Sequence, residues 1–191
     1  MAAGKVLTGF SKPYVALYSA EGTTITYSSG QLLARGVDVN ISPEASEDNI
    51  FYADNAQAEN DSGMLTGGTV DLTVDGLLTA SERLIMGLPA AANDWIVYDD
   101  DQVIPDCGLG FIARYMSGGV TTYVPFLLRK VRFSQIETSA ATQEDEIDWQ
   151  TQTLSATLMR SDDAKHSWKW MGEDQTTEAA AEALIKTALG I

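Results

Sequence analysis

The chain of 191 residues carries 12 Lys and Arg against 27 Asp and Glu, a formal charge of −15 at pH 7. That balance excludes a surface made to grip phosphates or anionic membranes, because both are held by basic side chains. One Cys and one His leave no internal disulfide and no multi-histidine zinc site, while 45% hydrophobic residues can build one core.

Residues 1–18 hold two Lys and no sustained apolar stretch, and no run reaches membrane-spanning length, so a soluble, intracellularly made protein is expected. Most segments then read as strands. Residues 13–19 (PYVALYS) are a short run of Tyr, Val and Leu. Residues 36–42 alternate, with Val37, Val39 and Ile41 on one side and Asp38, Asn40 and Ser42 on the other. Residues 69–75 repeat the device, opposing Val70, Leu72 and Val74 to Asp71, Thr73 and Asp75. Period two with one polar face predicts a sheet covered on one side and wet on the other. Between the two, residues 43–63 hold six acids and no Lys or Arg, and are expected to be a long loop. Ile50-Phe51-Tyr52 at its middle either docks on something or tucks under its own sheet.

Residues 79–87 read as a helix, with Thr79-Ala-Ser-Glu82 as a capping box and Gly87-Leu-Pro89 as the stop. Residues 95–98 are a short apolar strand closed by Asp99-Asp100-Asp101. Residues 109–116 and 120–134 flank Ser117-Gly118-Gly119, whose glycines supply the positive φ of a tight hairpin. The second arm changes phase: Val120, Val124, Phe126 and Leu128 share one parity, Val131 and Phe133 the other. A bulge or bend near residues 127–129 reconciles them. Residues 135–147 form a second acidic loop, with Glu137, Glu144, Asp145 and Glu146. Residues 148–160 are a long strand with Leu154, Ala156 and Leu158 on its apolar side. Residues 165–171 are expected to pair with it across a turn at Ser161-Asp162-Asp163. An Ala-rich helix over 177–189, with a stripe of Ala181, Leu184, Ile185, Ala188 and Leu189, ends at Gly190. The domain therefore spans 1–174, with a terminal helix or tail over 175–191.

Signals of catalysis are few. A Ser-His-Asp or Cys-His device must use His166, which alternates with tryptophans beside a turn and reads as an ordinary strand residue. Cys107 reads as a small buried residue. Asp99-Asp100-Asp101 lacks calcium-loop spacing and reads as a solvated turn. Gly108-Leu-Gly110 and Gly67-Gly68 lack the spacing and the Lys of a phosphate loop. Arg129, Lys130 and Arg132 are the one basic cluster, read as salt-bridge partners rather than a nucleic-acid site. Gln150-Thr-Gln152-Thr153 is polar on both faces, as at an exposed strand end or against another chain.

Several stretches carry a resemblance through their order along the chain. They are Val37-Asp-Val-Asn-Ile-Ser42, Asn49-Ile-Phe-Tyr-Ala-Asp54 with Glu59, Gly108-Leu-Gly-Phe-Ile112 and Tyr123-Val-Pro-Phe-Leu-Leu-Arg129. Glu144-x-x-Ile-Asp-Trp-Gln-Thr-Gln-Thr153 and the acidic turn with tryptophans from Arg160 to Trp170 complete the set. Over roughly residues 30–170 the combined pattern resembles the major tail tube proteins of long, flexible-tailed bacteriophages.

The resemblance implies a mainly β fold, a β-sandwich or split barrel, with one short flanking helix beside the C-terminal one. It implies a structural virion protein of the tail, assembled in the bacterial host cytoplasm, with no catalysis, no cofactor, no metal and no membrane. Subunits would form rings, typically sixfold, stacked around a tape measure protein, joined by tail completion proteins and traversed by DNA without specific binding. Six copies of −15 give a ring about −90, a field that repels phosphate within a Debye length of about 8 Å. Asp38, Asn40, Asp71, Thr73 and Asp75 are then candidates for the lumen, or else simply the outside of a sandwich. Phe51, Tyr52, Asp54 and Glu59 are candidates to meet Arg129, Lys130 and Arg132 of a neighbouring subunit. The competing reading is a glycan-binding, adhesin-type virion module with Trp168 and Trp170 as a sugar platform, although core packing explains that pair as well.

Overall fold

In the computed structural model, which describes residues 4–53, 55–61, 63–90, 93–142 and 149–191, the alternating runs become strands of one antiparallel sheet. β1 (Val6–Glu21) and β2 (Thr24–Leu32) form a first hairpin, followed by β3 (Gly36–Ala45). β4 (Asn49–Ala53) and β5 (Ala56–Asp61) precede β6 (Leu65–Val74) and helix α1 (Thr79–Met86). Then come β7 (Cys107–Ser117), β8 (Val120–Phe133), β9 (Gln152–Met159), β10 (Lys169–Met171) and helix α2 (Glu178–Leu189). The strand order is β2-β1-β7-β8-β9-β6-β3, with β10 beside β8 and β4-β5 as a separate two-stranded sheet. The fold is mainly β with two short helices.

The sheet is single, and it rolls. β3 at one end of the strand order comes back against β1: Val39 and Ile41 share an apolar cleft with Leu7, Phe10, Phe111 and Phe126. A Cβ on Gly36 would lie 2.0 Å from the Phe10 ring. Inside the roll, Val70, Leu72, Val74, Leu109, Leu128, Val131, Leu154 and Leu158 pack with Ile85 and Met86 of α1. The predicted change of phase in β8 is a bulge: Leu109 faces Leu128 while Cys107 faces Val131, so Arg129 and Lys130 oppose Gly108 alone. Gly118 and Gly119, at φ 56° and 82°, make the β7–β8 turn.

Outside the roll, α2 lies across the sheet. Ala181, Ile185 and Leu189, spaced four apart, bury against Tyr14, Ala16, Ile112 and Leu127. Gly108 and Gly110 of β7 make this approach possible, since a Cβ on Gly110 would come within 2.5 Å of Ile185. Thr177 caps the helix by accepting from the Ala180 N–H at 3.2 Å. Glu182 fastens it to β1, accepting from Lys12, from the Tyr14 hydroxyl at 2.6 Å and from Lys186 at 2.8 Å. Those three donors hold the Glu182 carboxyl at about 2.

Several local expectations are corrected. Residues 43–63 are not a structureless loop: β3 runs to Ala45 and the β4–β5 hairpin follows. Residues 95–98 form no strand beyond a bridge residue at Trp95; Trp95 is exposed, and Ile96 packs against the interior cluster without joining the sheet. β10 pairs with β8 instead of β9, since Asp163 accepts from Ser167 N at 2.8 Å and turns the chain away. Thr79 does not cap α1: Leu78 is the N-cap without a side-chain bond, and Glu82 accepts from Tyr98 at 2.6 Å instead. β2 was not foreseen. Residues 143–148, which include Glu144, Asp145 and Glu146 and the start of the predicted strand, lie outside the described residues.

Candidate assembly surface

The wet face of the predicted amphipathic strands is continuous across β3 and β6, but Val37, expected on the covered side, is 54% exposed because the register shifts between Gly36 and Asp38. Asp38 stands opposite Thr73 and Asn40 opposite Asp71 across β3–β6. β9 extends the ladder, with Thr73 3.3 Å from Thr153 and the Ser155 hydroxyl donating to Asp71 at 2.7 Å. Asp75 lies just past the end of β6, where Arg35 holds it through Nε at 2.6 Å and through its backbone N–H at 3.0 Å. Beyond it, Gln150, Thr151, Gln152 and Thr153 line a polar cleft with Glu137 and Ser139.

The β4–β5 hairpin continues the β3–β6 ribbon past the body. Ser46 N–H donates to Met64 O at 2.8 Å, Met64 N–H to Ser46 Oγ at 3.1 Å and Gly63 N–H to Asp48 Oδ1 at 3.1 Å. Ile50, Phe51 and Tyr52 are 39%, 62% and 62% exposed. Successive residues point to opposite faces of a strand, so Ile50 and Phe51 of β4 present exposed apolar surface on both faces. Glu59 faces Phe51 across the hairpin, whereas Asp54 lies outside the described residues.

The basic cluster sits elsewhere and is already partnered. Arg129 is 5% exposed, pairs with Asp163 and stacks 4.1 Å from the Trp170 ring. Lys130 reaches Asp162 at 2.8 Å and Asp106 at 3.6 Å, and Arg132 meets Asp106 at 2.7 Å. Burial raises the Asp163 carboxyl, but Ser167, Arg129 and Ser161 outweigh it and hold it at about 2. The bulge sets Arg129 and Lys130 together opposite Gly108, and Arg129 is the one that is buried. Reasoning from sequence missed the same corner's second set: Arg160, Lys165 and Lys169 make no ion pair among the described residues. Their proximity to Arg129 needed the β8–β10 pairing to be seen.

The two tryptophans do not share a platform. Trp168 packs into the interior cluster with Lys169 over its ring, while Trp170 covers Arg129. His166 takes a left-handed turn at φ 52°, its Nδ1 3.1 Å from the Ser161 carbonyl. Cys107 is fully buried, and burial pushes its thiol up to about 12, so it carries no thiolate at neutral pH. Among the described residues no helix is long and apolar enough to cross a membrane, and no group of three His, Cys, Asp or Glu converges as metal ligands. No protein-family model matches the chain, and no curated protein matches it either.

Proposed function

We propose that this protein is a structural subunit that assembles with copies of itself into rings and a tube, in the manner of a phage tail tube. The observation that carries the reading is the hairpin beyond β3 and β6, whose Phe51 and Tyr52 are each 62% exposed. Exposed apolar residues grouped on a protruding element are characteristic of surfaces that bury in an assembly. The outer edges of β3 and β2, each paired on one side only among the described strands, offer further joints between copies. The role is architectural rather than catalytic. The acid-rich ladder of Asp38, Asn40, Asp71 and Thr73 suits the wall of a passage that must let phosphate slide past. A sugar-binding module gains nothing from the separated tryptophans.

The test is electron microscopy of purified protein, with rings or tubes appearing as concentration rises. Strictly monomeric sedimentation at high concentration in varied salt overturns the reading. In the variant D38K/D71K/D75K tubes still form, and they retain DNA with an affinity that falls steeply with salt. Tubes of this variant that ignore DNA place those strands on the outside.

A further inference from the structure

We infer that the β4–β5 hairpin of one copy docks on the β9–β10 corner of a second copy, against β10 and the basic residues beside it. This deepens the assembly reading and rests on it. Six of the chain's twelve basic residues gather at that corner: Arg129, Lys130, Arg132, Arg160, Lys165 and Lys169. Asp106, Asp162 and Asp163 pair with Arg129, Lys130 and Arg132, which leaves Arg160, Lys165 and Lys169 without an ion pair among the described residues, in a protein whose total is −15. Residues 43–63 carry −6 with no basic residue, and Glu44, Glu47 and Glu59 are exposed. A positive island in a strongly acidic molecule is where an acidic arm of an identical copy meets attraction rather than repulsion.

The corner also has an apolar floor. Trp170 and Met171 are 48% and 63% exposed, and beside them runs a groove of about 370 Å³ lined by Pro125, Leu127 and Leu184. Phe51 and Tyr52 supply matching aromatic anchors, flanked by Glu47 and Glu59 for Lys165 and Lys169. The partner must be another copy. The Ser46–Met64 and Asp48–Gly63 bonds hold the hairpin in line with its own β3–β6 ribbon, and β10 lies beside β8, not beside that ribbon. Folding back would break those bonds. One surface meeting a different surface is a head-to-tail contact, which closes into a ring or runs on as a filament.

The test mixes two variants, Tyr52→Cys and Met171→Cys, each adding one surface thiol to the fully buried Cys107, under mild oxidation; Tyr52→Cys with Lys169→Cys is a second pair should the first perturb folding. A mixed disulfide dimer is expected, absent from either variant alone. K165E/K169E lowers its yield at least tenfold and E47K/E59K in the partner restores it, both at unchanged melting temperature. Rings or tubes that form without any mixed dimer overturn this docking site while leaving the assembly reading intact. A protein that remains monomeric fails both. A disulfide within single chains of the double variant at high dilution means the hairpin folds back, which also overturns the proposal.

Discussion

In the body, β6 and β9 each turn one row of side chains inward: Val70, Leu72 and Val74 of β6 and Leu154, Ala156 and Leu158 of β9 are all at most 3% exposed. In the hairpin that extends β3 and β6, Phe51 and Tyr52 are each 62% exposed. Both regions use antiparallel pairing, so hydrogen bonding does not distinguish them. Burial does, and net stability comes mostly from burial. The body is held by its own sequence; the hairpin is shaped by local pairing and awaits another surface.

The sharpest way to break this contrast is to cut each region at its apolar residues. Ile185→Ala, which removes the side chain pressed on Gly110, is expected to cost about 2–5 kcal/mol by urea unfolding. F51A/Y52A should stay within about 0.5 kcal/mol of the parent while abolishing assembly by sedimentation. Unfolding of that variant would make the pair ordinary core.

A smaller effect probes how α2 is tied to the body. The Glu182 carboxyl, at about 2 in the folded protein, lies below its ordinary value of about 4.3. A depressed carboxylate stabilises the fold fully above its unfolded pKa and loses that contribution as pH falls through the folded one. Stability should therefore drop between about pH 5 and pH 2. E182Q should cost about 1–2 kcal/mol at pH 7 and flatten that acid limb in pH-dependent denaturation curves. An acid limb that overlays the parent's would show that other carboxylates govern it.

The smallest effect separates the two helix starts. Thr177→Ala removes a cap and should cost about 1 kcal/mol, whereas Thr79→Ala removes none and should be neutral or slightly favourable by thermal melting. Equal costs would mean that Thr79 caps in solution after all.

Much of the body was legible because burial leaves a period in sequence. The valines at 37–41 and 70–74 gave β3 and β6, the two glycines gave the β7–β8 turn, and the parity change in β8 gave the bulge. The hairpin was hidden for the opposite reason: residues 49–61 show no apolar alternation, and the described Phe51, Tyr52 and Glu59 are all exposed, so they read as loop. β2 is an edge strand with mixed exposure, so its pattern is blurred. The basic corner was half legible. The run Arg129-Lys130-x-Arg132 is visible in one dimension, but its approach to Lys165 and Lys169 depends on a pairing between strands about forty residues apart. Gly108 and Gly110, dismissed as a phosphate loop, turned out to be the smooth ground on which α2 rests.

The pairing of β1 with β7 sets a timetable for folding. Val6 bonds alongside Met116, so the first strand's central partner is made some 110 residues later. At roughly 5–20 residues per second, translation leaves β1 waiting about 5–20 s with only β2 at its side. The β4–β5 and β7–β8 hairpins close locally in microseconds, whereas closing the roll is a long-range step of the slow, non-local kind. During that interval the row from Tyr14 to Ala16 is bare on the faces that β7, α1 and α2 later cover. Nascent chains of this protein are thus most exposed to mispairing with one another before residue 117 emerges, a hazard that falls on synthesis and not on the finished subunit.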